Sequence, residues 1–104
     1  MSGYAAALAL TLAVEVPLVA ALFPGRRLRM AALAAVATTA THLFMGFGLP
    51  RLVAPGAWLL AGEAFATAAE AAAYALATRN LPRALVASGL ANLASFLAGA
   101  WLLG

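Results

Sequence analysis

Four side chains in this sequence could exchange a proton or bind a cation, and all of them lie inside long apolar runs: Glu15, His42, Glu63 and Glu70. The six basic residues are all arginines, and they lie at the boundaries of these runs. An ionised carboxylate without a partner is unfavourable inside an apolar bundle. We therefore expect Glu15 and Glu70 to approach each other, and at least one of the two carboxyls to be protonated at neutral pH.

Polar residues recur along each apolar run at intervals of three, four or seven. These intervals place residues on one face of a helix. Polar groups that face lipid are unfavourable, so the four faces should point towards one another or towards another subunit. The four stripes consist of Tyr4, Thr11 and Glu15; Thr38, Thr41, His42 and Met45; Glu63, Thr67, Glu70 and Tyr74; and Ser88, Asn92, Ser95 and Gly99.

Depth along the helices can be counted from the arginine-bearing turns. The count places Glu15, Thr38, Glu70 and Asn92 in one layer near the middle of the bundle. A second layer, with Thr11, His42, Glu63 and Ser95, lies roughly 7 Å further from those turns. We predict a proton, ion or ligand site drawn from both layers, formed by Glu15, Thr38, His42, Glu63, Glu70, Tyr74 and Asn92.

Carboxylate and imidazole ligands would also suit zinc, iron or manganese. The sequence has neither a Glu-x-x-His nor a His-Glu-x-x-His pattern, and Glu63 and Glu70 lie about 10 Å apart along their helix. A metal site would need one ligand from each of several helices, with His42, Glu63, Glu15 and Glu70 as candidates. We therefore predict no cofactor, with a metal ion as the less favoured alternative. Phosphate-loop and nucleic-acid-binding motifs are absent from the sequence.

Composition determines the class of protein that holds these residues. The 104 residues are 66% hydrophobic and 9% charged, with a mean hydropathy of +1.02, which excludes a soluble domain. Pro-Gly and Arg-rich turns separate four runs of about 20 residues, each the length of a membrane span. The sequence predicts an all-α integral membrane protein, a four-transmembrane-helix bundle of two helical hairpins with short loops. The single domain covers residues 1–104, with spans at 4–23, 30–49, 57–78 and 83–103.

The distribution of arginine predicts the orientation of this bundle. The first and third turns hold five arginines and the second turn holds one. By the positive-inside rule, the first and third turns face the cytoplasm and both termini lie outside the inner membrane. The two hairpins also match one another: a shift of 55 aligns Glu15 with Glu70, and a shift of 53 aligns His42 with Ser95. In a chain this rich in alanine, such matches fit a tandem repeat and chance equally well.

Three classes of function agree with this pattern. The first is a proton- or cation-coupled transporter or conducting oligomer that uses the buried Glu and His side chains. The second is a non-catalytic subunit of a larger membrane complex, in contact with a lipid, quinone or pigment, in which neutral carboxyls only bond the helices together. The third and least favoured is an intramembrane metal-dependent enzyme. We expect membrane lipid as a partner, together with self-association or a larger complex.

Overall fold

The structure, a computed structural model, describes residues 3–102, and all of its regular secondary structure is helical. Each helix packs against the two that neighbour it in a ring, so α1 and α3 lie diagonally opposite, as do α2 and α4. This arrangement confirms the predicted all-helical architecture of four helices. The predicted end of the last span, at residue 103, lies outside the described residues. The helices are α1 (Gly3–Ala21), α2 (Arg27–Leu43), α3 (Trp58–Thr78) and α4 (Leu81–Leu102).

Three helical segments are long and apolar enough to cross a membrane: Gly3–Ala21, Arg27–Arg51 and Leu81–Leu102. They indicate a membrane protein. Helix α3 was predicted as a further span and has 21 residues, but it is not among these segments. The reason is that Glu63 and Glu70, both on the polar stripe of this helix, lower its mean hydropathy.

The bundle buries several polar side chains and leaves many large apolar side chains on its outside. Its surface carries leucine, valine and phenylalanine side chains such as Leu28, Val36 and Leu60, which are 90%, 68% and 78% exposed. Such a surface is suited to hydrocarbon rather than to water. The buried polar residues of the described chain are Glu15, Thr38, Thr41, Glu70, Thr78, Ser88, Asn92 and Ser95.

The turns that join α1 to α2 and α3 to α4 lie together at one end of the bundle, which we call the arginine end. Helix α4 begins at Leu81, two residues before the predicted start, because Asn80 caps it. The Asn80 Oδ1 atom accepts a hydrogen bond from the Arg83 backbone N–H at 3.1 Å. Pro82 occupies the first turn, where its missing N–H leaves no helical bond unmade.

The second helix does not run regularly to residue 49 as predicted, because its last turns widen. Residues Phe44–Gly48 form a π-helical turn, and the short 3₁₀ segments Leu49–Arg51 and Pro55–Ala57 follow. In a π-helical register the Met45 carbonyl would accept from residue 50, but Pro50 has no N–H. The Trp58 indole Nε1–H donates to this carbonyl instead, at 2.7 Å. The bond ties the start of α3 to the end of α2.

The turn after α1 contains a glycine in a left-handed backbone conformation, and a substitution there tests this conformation. Gly25 has a φ of +84°, in the left-handed region, whereas Gly56 has no such strain, and an added Cβ meets no atom within 4 Å at either position. We expect Gly25→Ala to lower the free energy of unfolding by about 1–2 kcal/mol, the cost of a left-handed non-glycine residue. Gly56→Ala is the matched control and should leave stability unchanged. Reversible unfolding in mixed detergent micelles, followed by circular dichroism, measures both; equal effects would contradict the assignment.

Candidate functional site

Two carboxyl groups meet in the interior of the bundle. Glu15 comes from α1 and Glu70 from α3, which are diagonally opposite, and each side chain is 1% exposed. The two carboxyls lie close to each other. Two ionised carboxylates this close would repel each other strongly, so the arrangement disfavours ionisation of both groups at once.

Every oxygen of the pair accepts one hydrogen bond, and every donor is neutral. Three donors are hydroxyls and one is an amide, and all come from α2 or α4. These four donors satisfy the carboxyl oxygens without any basic side chain, so no arginine neutralises a negative charge on the pair. The bonds are Thr38 Oγ1 to Glu15 Oε1 (3.1 Å), Ser95 Oγ to Glu15 Oε2 (2.5 Å), Thr41 Oγ1 to Glu70 Oε2 (2.7 Å) and Asn92 Nδ2 to Glu70 Oε1 (2.9 Å).

These four bonds follow a twofold pattern that relates the two hairpins. Each carboxyl accepts one bond from its own hairpin and one from the other. Thr38 and Asn92 each donate within their own hairpin and are 54 residues apart (92 − 38). Thr41 and Ser95 each donate to the other hairpin and are also 54 apart (95 − 41). The two accepting glutamates are 55 apart (70 − 15). The hydrogen bonds thus relate this helix pair by a shift of 54, one residue more than the shift of 53 that the sequence matches use. The equivalent bonds are Thr38–Glu15 with Asn92–Glu70, and Thr41–Glu70 with Ser95–Glu15.

Two of the hydroxyls have a second acceptor on their own helix. The Thr41 Oγ1 atom lies 3.1 Å from the carbonyl of Thr38, and the Ser95 Oγ atom lies 3.2 Å from the carbonyl of Asn92. A hydroxyl has one hydrogen but can also accept. Each hydroxyl can therefore donate to an ionised carboxylate, or turn to its own helix and accept from a protonated one. Either carboxyl can change its charge without leaving a polar atom unpaired.

A cavity of about 510 Å³ leads from this pair to the end of the bundle opposite the arginine end. Glu15 and Glu70 lie at its inner limit, and residues such as Trp58 and Ala100 line its outer part. Towards the arginine end, the bundle is closed by a packed apolar core. That core consists of Val19, Phe23, Met30, Ala34, Tyr74, Ala84, Ala87 and Ala91.

The remaining candidate residues fall in two places. His42 and Glu63 both line the cavity, closer to its mouth than the pair. The His42 ring packs against Tyr4, with centroids 4.9 Å apart, and within residues 3–102 neither His42 nor Glu63 makes a side-chain hydrogen bond. Tyr74 lies outside the cavity lining, in the apolar core, and its hydroxyl has no hydrogen-bond partner among the described residues.

Sequence reasoning placed Thr38 and Asn92 beside the pair but left Thr41 and Ser95 out of the site. Both belonged to the polar stripes, and their spacing of three from Thr38 and Asn92 was the available signal. Within residues 3–102, no group of three or more His, Asp or Glu side chains is placed to hold a metal ion.

Comparison with known proteins gives no family for this chain: no protein-family model, no curated protein and no solved structure matches it.

Proposed function

We propose that this protein is a small membrane transporter that exchanges protons for an organic cation at the Glu15–Glu70 pair. The observation that carries this proposal is the position of the pair at the inner limit of a cavity that reaches one end of the bundle. A carboxyl pair with only structural work would not need such a passage. Intramembrane acidic residues most often serve ion or substrate pathways.

Proton exchange is supported by the hydrogen bonds around the pair. Four neutral donors hold the carboxyls in place, and the Thr41 and Ser95 hydroxyls have alternative acceptors. The pair can therefore lose its shared proton and gain a cation in its place, without a change in the fold. The twofold pattern makes the two carboxyls near-equivalent, so the proton can reside on either.

The cavity supports an organic cation over a bare metal ion. Its volume of about 510 Å³ is within the range of small-molecule sites. Most of its lining is apolar, and its charged side chains are the carboxyls of Glu15, Glu63 and Glu70. An apolar surface with converging carboxylates matches a molecule that carries positive charge on a hydrocarbon body.

The membrane arrangement belongs to the same proposal. Helix α3 crosses the membrane with the other three, since Glu70 is buried in the bundle and Glu63 lines the cavity. The arginine end faces the cytoplasm, so the cavity opens outward with both termini. A single slim bundle of alanine-rich helices favours self-association through close helix contacts, so we propose a homo-oligomer as the working form.

Quaternary ammonium ions test the proposal, because their fixed charge cannot supply a proton. The purified protein is placed in weakly buffered detergent with a pH dye, and tetramethyl-, tetraethyl- and tetrapropylammonium chloride are added in turn. We expect the ions that fit to release about one proton per chain, as one shared proton requires. Sodium chloride at equal ionic strength is the control. Absence of proton release and of any thermal stabilisation across the series would refute the proposal.

A second function, as a subunit of a larger membrane complex, is favoured by a groove on the outside of the bundle. This groove of about 470 Å³ lies between α3 and α4, and it is lined by apolar residues such as Leu60, Leu93 and Phe96 together with the polar residues Glu63, Thr67 and Asn92. A partner helix or a lipid chain would fit it. Native mass spectrometry from mild detergent distinguishes the two functions: a chain that carries only copies of itself supports the transporter, and a stoichiometric foreign subunit supports the complex.

A further inference from the structure

A second cavity, of about 290 Å³, lies at the arginine end and plays no part in the proposed proton exchange. It is lined by Phe23, Pro24, Arg26, Thr78, Asn80 and Arg83. The apolar core lies between this cavity and the carboxyl pair. The two sites are therefore separate, and a change in one need not alter the other.

Two guanidinium groups are fixed on this cavity by bonds that cross between the hairpins. Arg26, from the turn after α1, donates from Nη1 to the carbonyl of Thr78 at 3.2 Å. Arg83, at the start of α4, donates from Nη1 to the carbonyl of Leu22 at 2.7 Å. Thr78 is the last residue of α3 and Leu22 directly follows α1, so each arginine is bonded to the end of the opposite hairpin's first helix. A guanidinium has five N–H donors, so most donors of both groups remain for a ligand.

The charge at this cavity has no counterpart in its lining. The described lining contains no carboxylate, because Glu15, Glu63 and Glu70 all line the cavity on the other side of the core. The uncharged oxygens of Asn80 and Thr78 already have partners. Asn80 Oδ1 accepts from the Arg83 backbone N–H, and the Thr78 hydroxyl donates to the Tyr74 carbonyl at 2.7 Å. What the cavity offers is two positive charges with free, planar donors.

We propose that this cavity binds a phosphate group between Arg26 and Arg83. A guanidinium donates two parallel hydrogen bonds to two phosphate oxygens, which a chloride ion cannot accept in that way, and one phosphate has enough oxygens for both arginines. A phosphate can come from the headgroup of an anionic lipid, since arginines at a membrane surface attract such headgroups, or from a soluble phosphate compound.

The test compares two double variants that remove equal charge from the same end. Arg26→Gln/Arg83→Gln removes the proposed ligands, and Arg27→Gln/Arg79→Gln removes two arginines that do not line this cavity. Each protein is reconstituted in nanodiscs of phosphatidylcholine with a minor fraction of phosphatidic acid. Native mass spectrometry after release then counts the bound phosphatidic acid. We expect the first variant to retain about tenfold less than the parent and the control to retain nearly as much. Equal losses, or no preference for phosphatidic acid in the parent, would overturn the site.

Two further arms identify the source and guard against misfolding. Inorganic phosphate that displaces phosphatidic acid from the parent assigns the site to soluble phosphates as well, and failure to displace it assigns the site to the lipid headgroup. Arg26→Lys/Arg83→Lys keeps the charge but loses the forked donors, so it should fold and bind clearly more weakly. Undiminished binding by this variant would show a diffuse attraction and reject the site.

Discussion

Glu15→Gln/Glu70→Gln should abolish the release of protons on addition of a quaternary ammonium ion, and should lower the release after a pH jump by about one proton per chain, the shared proton of the pair. The amide keeps the shape of the carboxyl but has no proton to exchange. The change also removes the charge that attracts a cation, so binding should fall by at least about tenfold, the effect of losing one charged contact. The measurement is proton release with a pH dye, alongside the thermal stability of both proteins.

The control for this variant is Glu63→Gln, which removes a carboxyl from the same cavity but outside the pair. It should weaken cation binding while leaving the pH-jump proton release in place. The two single variants, Glu15→Gln and Glu70→Gln, should have similar effects, because the hydrogen bonds of the two carboxyls are related by the twofold pattern. Normal proton release from the double variant, with its fold and assembly unchanged, would exclude the pair from any proton exchange.

Gly99→Leu should block the cavity without disturbing the bundle. Gly99 lines the cavity on the same face of α4 as Asn92 and Ser95, and an added Cβ there meets no atom within 4 Å. The leucine side chain can therefore extend into the space that a bound cation would occupy. We expect binding of tetrapropylammonium to be lost, while proton release after a pH jump stays, because the pair itself is unchanged. Isothermal calorimetry and the pH dye report the two results separately.

Gly89→Leu is the matched control for this change, since it adds the same side chain to the same helix. Gly89 lines the outer groove rather than the cavity, and an added Cβ also meets nothing within 4 Å. The transporter proposal requires that Gly89→Leu leave cation binding intact. If Gly89→Leu abolishes binding and Gly99→Leu does not, the organic cation binds in the groove and the cavity has another purpose.

Helical periodicity predicted much of the site, but counting along the helices assigned the depths less well. The count separated Ser95 from Glu15 by a layer, yet the two side chains are hydrogen bonded. Side chains on a helix lean towards its N-terminus. Helices α2 and α4 start at the arginine end, so Thr41 and Ser95 lean back towards it. Helices α1 and α3 run the other way, so their carboxyls lean towards the cavity, and the two predicted layers meet.

The same geometry explains why Tyr74 lies outside the cavity. It shares a helix face with Glu70, but it lies one turn nearer the arginine end, where the apolar core closes the bundle. Other features depend on contacts between distant segments and have no local signal. The bonds of Arg26 and Arg83 to the opposite hairpin require the two turns to lie side by side. The widened turn at Phe44–Gly48 depends on the Met45 carbonyl, which accepts a hydrogen bond from the indole of Trp58, 13 residues further along the chain.

Infrared difference spectroscopy tests the central claim most directly, because a protonated carboxyl has a carbonyl band that an ionised one lacks. Spectra are recorded in H₂O and D₂O, with and without tetrapropylammonium, for the parent and for Glu15→Gln/Glu70→Gln. The account predicts a band from the shared proton of the pair that shifts in D₂O, disappears when the cation binds, and is missing from the double variant. A parent spectrum without such a band at neutral pH, or with a band that the cation leaves unchanged, would contradict the account.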